Sequence, residues 1–269
     1  MSKLLEKTNK KIKIDDKQYE KIQKTWKKIK KEVKEILNSN GVNSITIIES
    51  GSFGKALTTK KTQDFDSEIR FTDPNCNLRN QTSCFKILTN FEKKLRKKYP
   101  TYKIMKTRSS IEIKIKGFSY SFTFVPNENY KLWWGEKFTD LKIKLDSKNN
   151  INSLLLESNL NKHQRWNVIK YVKIMRYFFA RNMQNLYSYQ LENILTEKLI
   201  NVKNSTALTQ YEKFREFFQE SSEKKYDDNL KNLVIKNSSN FDNLESRSKN
   251  IFNKLPKNLQ DLPSIIESI

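Results

Sequence analysis

The stretch Gly51-Ser52-Phe53-Gly54-Lys55 and the triplet Asp64-Phe65-Asp66 together decide the fold of this chain of 269 residues. The glycine-serine turn ends a run of β-forming residues, Ser44 to Glu49, and the triplet begins a second such run. Successive residues of a strand point to opposite faces, so Asp64 and Asp66 are expected to share one face, about 7 Å apart. We therefore predict a strand, a turn, and a second strand with a pair of carboxylates on one side.

This pattern has the chemistry of a site for a metal-bound nucleoside triphosphate. Carboxylate oxygens are hard ligands of the kind that Mg²⁺ prefers, and the backbone N–H groups of a turn suit a phosphate. We expect Asp64 and Asp66 to bind Mg²⁺ (or Mn²⁺), and Gly51, Ser52 and Lys55 to bind phosphates. A lone Asp-x-Asp motif is more often a solvated face, but its combination with the turn favours the functional interpretation.

The composition favours a polyanionic partner. There are 52 Lys and Arg residues against 30 Asp and Glu, a net charge of +22, which attracts nucleic acid or nucleotides. An AT-rich genome would also enrich lysine, so both interpretations stay open. Cys76, Cys84 and the single His163 do not make a zinc site. No signal peptide or membrane span is recognisable, so we expect a cytoplasmic protein without a membrane partner.

The periodicity of apolar residues predicts an α+β half followed by a helical half. An amphipathic helix is predicted over residues 15–40, between a cap at Asp15 or Asp16 and a stop at Gly41. The other elements of this half are predicted at 79–98 (helix), 102–105, 110–116, 118–125 and 142–145 (strands). After a polar hinge at 146–150, helices are predicted near 161–182, 188–201, 207–220 and 241–255. We expect two lobes, 1–150 and 151–269, with a cleft between them.

The first long helix has a dense basic face opposite its apolar stripe. Its cations are Lys24, Lys27, Lys28, Lys30, Lys31 and Lys34. Both a solvated helix face and a face that binds nucleic acid fit this pattern.

The turn followed by Asp-x-Asp resembles the signature of the DNA polymerase β-type nucleotidyltransferase superfamily. It is similar in particular to the 2′-5′-oligoadenylate synthetases and the cyclic GMP-AMP synthase-like enzymes (CD-NTases), which also have a nearby Gly-Lys, here Gly54-Lys55. The resemblance covers about residues 20 to 200. It implies a bilobal nucleotidyltransferase fold, in which a small mixed β-sheet lobe with an N-terminal spine helix precedes a helical lobe. It also implies that the carboxylates hold two Mg²⁺ ions, that the turn holds the triphosphate, and that the spine helix binds nucleic acid.

Two segments of the helical half resemble further parts of the family's nucleotide site. The run from Val172 to Phe178 is similar to a phosphate-facing helix, on which Lys173 and Arg176 would grip the triphosphate. An ordinary surface pair beside a buried stripe is the alternative. The run that begins at Ser188 resembles the Ser-Tyr-x-Leu-Glu start of the family's next helix. The resemblance implies that Ser188 contacts phosphate and that Tyr189 stacks on the base. Ser188 could equally be a helix N-cap, and the two roles can coexist.

One position departs from the family. Its third carboxylate, which binds the catalytic metal and helps to deprotonate the attacking hydroxyl, belongs to an x-D-x-x-P motif that here reads Phe-Thr-Phe-Val-Pro, with Thr123 at the acidic position. A threonine is a weak Mg²⁺ ligand and no base near neutral pH. Glu112 or Glu68 could substitute, the alignment could be shifted by one strand, or the chain could bind nucleotides without polymerising them. A metal pair of Asp66 and Glu68 is a further alternative.

Two functions follow from these residues. The first is a Mg²⁺-dependent, template-independent nucleotidyltransferase, which takes ATP or another NTP to make a cyclic or linear oligonucleotide or to extend an RNA 3′ end. The second is a catalytically silent protein of the same fold, which binds nucleic acid or nucleotide as a subunit of a larger complex. Thr123 favours the second, and the turn with its aspartate pair favours the first.

Overall fold

The structure, a computed structural model, describes residues 2–62, 64–72, 81–107, 110–126, 151–179, 188–202, 205–223 and 241–266. Up to residue 126 the elements are α1 (Ser2–Ile12), α2 (Asp16–Asn38), β1 (Asn43–Glu49), α3 (Gly51–Gly54), β2 (Asp64–Thr72), α4 (Gln81–Lys98), β3 (Lys103–Lys106), β4 (Ser110–Ile115) and β5 (Phe118–Pro126). From residue 151 they are α5 (Ile151–Glu157), α6 (Lys162–Phe179), α7 (Ser188–Ile200), α8 (Ala207–Ser222), α9 (Phe241–Lys254) and α10 (Leu262–Ile265), with a 3₁₀ turn (Leu259–Asp261) before α10. The strand predicted at 142–145 and the hinge predicted at 146–150 lie outside the described residues.

The chain divides into two compact units, and the predicted α+β class is confirmed. The sheet unit consists of Asp15–Ala56 and Thr62–Leu145. The helical unit consists of Met1–Ile14, Leu57–Lys61 and Asp146–Ile269. Two segments from before residue 150 therefore belong to the helical unit, because their apolar residues Leu5, Ile12 and Leu57 are buried in its core.

Within the described residues the strands form one five-stranded mixed sheet in the order β1-β2-β5-β4-β3. The β2–β5 pair is parallel, and the other neighbours are antiparallel. The β4–β5 hairpin turns at Lys116 and Gly117, whose φ angles of 49° and 84° are those of a tight turn with two left-handed residues. This agrees with the turn predicted at Gly117, and the hairpin places β5 beside β2.

The ends of α2 have the causes that the sequence indicates. The Asp15 carboxylate accepts the backbone N–H groups of Lys17 and Gln18 at 3.1 and 3.2 Å, which satisfies two donors at the start of the helix. At the other end Gly41 has a φ of +79°, and the Val42 N–H donates to the Leu37 carbonyl at 3.1 Å.

One face of the sheet is packed and the other is open. Alternate residues of β2, Phe65, Ser67 and Ile69, are fully buried. On this packed face the Trp26 Nε1 of α2 donates to the Ser67 Oγ at 2.8 Å, which joins the helix to the strand. Asp64 and Asp66 lie on the opposite, open face, since strand residues alternate. The fold thus buries the residue between the aspartates and leaves their carboxylates outside the core.

The helical unit is built around α6, whose residues Val168, Tyr171 and Phe178 are fully buried. The buried Tyr171 hydroxyl has a backbone partner, since it donates to the Ala207 carbonyl at 2.6 Å. The chain segment before β2 joins this unit through a hydrogen bond of 2.8 Å from the Lys60 N–H to the Ile12 carbonyl.

Candidate functional site

The glycine-serine turn touches the second aspartate directly. Gly51 has a φ of +57°, and a Cβ atom at this position would lie 2.2 Å from the Asp66 Oδ2. The Ser50 N–H donates to the Asp66 carbonyl at 2.9 Å, which fastens the start of the turn to β2. Only glycine allows both the left-handed backbone and this close approach. The structure therefore brings the predicted phosphate-binding turn and one predicted metal ligand together.

Gly54 meets a second steric constraint at the end of the same turn. A Cβ atom there would lie 2.3 Å from the Glu49 carbonyl oxygen, and the Gly54 N–H donates to the Ser50 carbonyl at 2.9 Å. The four residues Gly51–Gly54 form one short helical turn, with Ser52 buried and Lys55 half-buried just after it. The backbone of the last strand residue and the turn are therefore in direct contact.

An aromatic cluster holds the turn against the sheet. The Phe53 ring packs edge-to-face on Phe65 with a centroid distance of 5.2 Å, and on Trp26 of α2 at 5.7 Å. Phe65 also stacks on Tyr120 of β5 at 5.6 Å. Such aromatic pairs contribute about 0.5–1.5 kcal/mol each beyond the burial of their surface. The cluster positions the turn through the apolar residues of both sequence motifs.

The open face of the sheet presents a row of polar residues beside the aspartates. In the parallel pair Asp64 is opposite Ser119, and Asp66 is opposite Ser121. One strand further on, Ser121 is opposite Glu112 of β4. Since neighbouring strands lie about 4.8 Å apart, the backbones of Asp66 and Glu112 are separated by roughly two strand spacings. Asp66, Ser121 and Glu112 thus form one cross-strand row.

The Asp64 carboxyl lies in a field that disfavours its charge. Partial loss of hydration raises its pKa above the usual range, the Glu112 carboxylate raises it further, and Lys114 opposes the effect. Glu112 itself pairs with Lys114 at 3.3 Å and accepts the Ser119 hydroxyl. A divalent cation beside Asp64 would remove this repulsion.

Thr123, where the resemblance leads us to expect a carboxylate, lies on the same open face between Glu68 of β2 and Ser110 of β4. Glu68 forms an ion pair with Arg70 at 2.9 Å. Within the described part of the chain, no three His, Cys, Asp or Glu side chains are grouped so that they could hold a metal ion. The donor chemistry of Asp64 and Asp66 nevertheless suits a nucleotide-bound Mg²⁺, because this ion is usually held by one or two carboxylates together with substrate phosphates.

The lysine face of α2 is mostly exposed, as the sequence pattern indicates. Lys30 differs from the other lysines, since its Nζ lies 4.7 Å from the centroid of the Trp26 ring. Lys31 pairs with Glu35 at 3.9 Å, with both side chains largely in solvent. The exposed cations of this face are Lys24, Lys27, Lys28, Lys31 and Lys34.

Lys173 and Arg176 of α6 have different surroundings in the helical unit. Arg176 forms an ion pair with Glu192 of α7, a carboxylate that is only 1% exposed. The sequence pattern does not indicate this partner, although Glu192 belongs to the Ser-Tyr-x-Leu-Glu run. Burial, and to a smaller extent the charge of Lys13 just after α1, lower the pKa of Lys173 to about 8, and Glu6 opposes the effect. Lys173 is therefore a cation in unfavourable surroundings, which an anion would relieve.

Ser188 and Tyr189 start helix α7, in agreement with the predicted helix start. Their side chains lie outside the described part of the structure, so their assignment to phosphate and base stays a prediction.

Comparisons with known proteins identify the fold. The chain is similar to CdnC of E. coli MS115-1, solved in complex with HORMA-deltaN, with a TM-score of 0.54 and 13% identity over 95% of this chain and 92% of that chain. It is also similar to Cid1, described by its RNA terminal uridylyl transferase activity, with a TM-score of 0.53 and 14% identity over 82% and 72% of the two chains. This chain has the DNA polymerase β-type nucleotidyltransferase fold. No protein-family model matches the sequence, and no curated protein matches it.

The nucleotidyltransferase fold confirms the resemblance that the turn and the Asp-x-Asp motif indicated. A MgATP-bound mutant of the Cid1 poly(U) polymerase shares the fold as well, with a TM-score of 0.52 and 14% identity over 82% of this chain and 73% of that chain. Among the helices that the structure describes, none has the length and apolar character needed to cross a membrane.

Gly51→Ala is expected to destabilise the protein more than Gly41→Ala. Both glycines have positive φ angles, and alanine in this conformation costs about 1–2 kcal/mol. A Cβ atom at Gly41 meets nothing within 4 Å, whereas one at Gly51 collides with Asp66. Urea unfolding of the two variants measures the difference. Equal losses of stability would contradict the close contact between the turn and Asp66.

Arg176→Met is expected to lower the free energy of unfolding by about 3–5 kcal/mol, because it leaves the buried Glu192 carboxylate without its cation. The double variant Arg176→Met with Glu192→Leu should recover most of this loss, since it removes the buried charge as well. Chemical denaturation measures both. If the single variant were fully stable, Arg176 would be a surface cation and not a structural partner of Glu192.

Proposed function

We propose that this protein is a template-independent nucleotidyltransferase that binds an NTP, most simply ATP, together with Mg²⁺. Its product would be a cyclic or linear oligonucleotide, or an extended RNA 3′ end. The contact between Gly51 and Asp66 carries the proposal, because it joins a turn suited to phosphate to a carboxylate suited to Mg²⁺ within one fold. We propose the cytoplasm as its compartment, since ATP and RNA are both present there.

In this proposal each candidate site residue of the sheet unit has a defined role. Asp64 and Asp66 would hold Mg²⁺, which supplies charge neutralisation for the triphosphate and the leaving pyrophosphate. Gly51 and Ser52 would present backbone N–H groups to the β- and γ-phosphates, and Lys55 would add a positive charge beside them. The Phe53–Phe65 contact keeps the turn and the carboxylates in register, which reduces the reorganisation needed on binding.

We assign candidate residues of the helical unit to the nucleotide as well, as the family resemblance implies. Lys173 supports this role, since burial and Lys13 leave its charge without full compensation. Arg176 would contribute mainly by fixing α7 through Glu192, and Ser188 and Tyr189, at the start of that helix, would contact phosphate and base. The ion pair thus gives Arg176 a positioning part within the helical unit.

The similar structures support this class of activity. Cid1 is described as an RNA terminal uridylyl transferase and, in another structure, as a poly(U) polymerase bound to MgATP. CdnC is described in complex with a HORMA protein, which supports the idea that a partner subunit exists here as well. The net charge of +22 and the exposed lysines of α2 support nucleic acid as a further partner.

Thr123 supports a second candidate, a protein that binds nucleotide or nucleic acid without catalysis. It occupies the family's third acidic position, and Glu68, the neighbouring carboxylate on β2, is held by Arg70. If the chain is active, Glu112 is the better substitute, because it shares a cross-strand row with Asp66 and its charge reaches Asp64. Loss of one metal-binding carboxylate costs orders of magnitude in rate, so the two candidates differ in turnover and not in binding.

The proposal is tested by measuring the incorporation of labelled NTP. The wild type is compared with the double variant Asp64→Asn, Asp66→Asn. Purified protein is incubated with each NTP and Mg²⁺ or Mn²⁺, with and without RNA, and the products are separated by chromatography. We expect a product with the wild type and none with the double variant, because an amide is a poor Mg²⁺ ligand.

Glu20→Gln, on the exposed face of α2, is the matched control for removal of a carboxylate and should leave incorporation unchanged. A wild type that binds fluorescent ATP and forms no product would support the silent candidate. A wild type that incorporates no NTP and binds neither NTP nor RNA would contradict both candidates.

Lys173 predicts a pH dependence of nucleotide binding. With a pKa of about 8, its ammonium is charged at pH 7 and largely neutral at pH 9. An anionic ligand binds the charged form better, so ATP affinity is expected to fall as the pH rises through 8. Equilibrium dialysis at pH 7 and 9 measures this, and Lys173→Met should bind weakly at both values.

Stability gives an independent readout of the same lysine. Because the folded protein holds the Lys173 pKa below its usual value, the charge destabilises the fold below pH 8, and this cost disappears as the pH rises towards the unfolded value. Lys173→Met should therefore be more stable than the wild type at pH 7. Lys257→Met, at an exposed position, is the control, and an equal response of both variants would contradict the special surroundings of Lys173.

A further inference from the structure

An apolar groove with a basic rim lies on the helical unit, between α5 and the first turns of α6. Its volume is about 740 Å³, which is within the range of sites that enclose small organic molecules. Leu160 forms its buried floor, whereas Leu156 and Trp166 are 71% and 46% exposed. Large apolar side chains that remain in water beside a groove indicate a binding surface.

Hydrogen bonds hold the walls of this groove in place. Asn161 and Gln164 exchange reciprocal bonds at the start of α6, of 2.9 and 3.0 Å. The Arg165 guanidinium donates to the Ser158 carbonyl at 3.2 Å, which ties α6 to the end of α5. The groove is therefore built by fixed backbone, and little ordering is needed to fill it.

The charged side chains among the described residues that line the groove are Lys162 and Arg165, and both are cations. Trp166 lies one helical turn after Lys162 and seven residues before Lys173, so these three residues share one face of α6. Over seven residues a helix advances by about 10.5 Å. An aromatic ring exposed between cations on one helix face is the arrangement that binds single strands, with bases on the ring and phosphates on the cations.

We propose that this groove binds single-stranded nucleic acid, with one base stacked on Trp166 between apolar walls and the adjoining phosphates on Lys162 and Arg165. The apolar lining accepts any base, so the site is sequence-tolerant. Because the groove shares a helix face with Lys173, we assign it to the acceptor strand, the nucleic acid whose 3′ end would be extended. That acceptor role rests on the proposed function, whereas the binding itself does not.

Fluorescence anisotropy tests the inference without NTP or metal. The probe is a labelled oligouridylate of about twelve nucleotides, which is within the usual site size of proteins that bind single strands. Trp166→Ala is expected to weaken binding by roughly tenfold, since stacking on one base is worth about 1–3 kcal/mol. Trp166→Phe keeps an aromatic ring and should retain most of the affinity. Leu208→Ala removes a 38% exposed apolar residue of the same unit outside the groove, and should bind as the wild type does.

The salt dependence of oligouridylate affinity separates the contribution of the groove's basic rim from that of the protein's overall charge. Lys162→Ala should reduce the slope of log affinity against log salt by about 0.7, the value for one phosphate contact of a single strand. Binding that is the same for the wild type and Trp166→Ala, or that is lost equally in Trp166→Phe, would overturn the inference. So would a Trp166→Ala variant that binds RNA normally and instead loses association with a second copy of the chain.

NTP incorporation by the same variants distinguishes the two proposals. If oligouridylate binds through Trp166 but the wild type incorporates no NTP, the groove stands and the nucleotidyltransferase activity fails. If the wild type extends the oligouridylate and Trp166→Ala raises the RNA concentration at half-maximal rate about tenfold, with ATP affinity unchanged, the groove holds the acceptor.

Discussion

The edge-to-face contact of Phe53 with Phe65 is the constraint on which the rest of the candidate site depends. Phe53 is the apolar residue inside the glycine-serine turn, and Phe65 is the residue between the two aspartates. Because Phe65 must enter the core, the aspartates on either side must leave it. Because Phe53 packs on that ring, the turn is held at the end of β2 where Gly51 meets Asp66. A core contact thereby fixes the distance between two polar groups.

Both units hold charges in places that disfavour them. The pKa of Asp64 is raised by partial burial and by Glu112, and the pKa of Lys173 is lowered by burial and by Lys13. Each shift means that the charged form is disfavoured. A bound cation would stabilise the Asp64 carboxylate, and a bound anion would stabilise the Lys173 ammonium. Arg176 shows the contrast, because Glu192 already compensates its charge inside the protein.

The sequence predicted the elements whose causes are local. The cap of Asp15 and the left-handed Gly41 set the ends of α2, and alternation of apolar residues set the strands. It did not predict that α1 and the segment around Leu57 would join the helical unit, because the rest of the core in which they are buried lies beyond residue 150. The Arg176–Glu192 pair was missed for the same reason, since i,i+3 spacing indicates a shared face and not what that face contacts.

The sequence by itself determined the glycine-serine turn, the paired aspartates, the threonine at position 123 and the basic character of the chain. These properties depend on residue identity and on the two-residue period of a strand, which no tertiary contact changes. Only the tertiary structure decided that Gly51 lies against Asp66 and that Glu112 shares a cross-strand row with that aspartate. It also decided that Arg176 pairs with Glu192 and that Trp166 is exposed beside a groove. Those outcomes come from packing between distant segments, which places each side chain against neighbours that its own stretch of sequence does not contain.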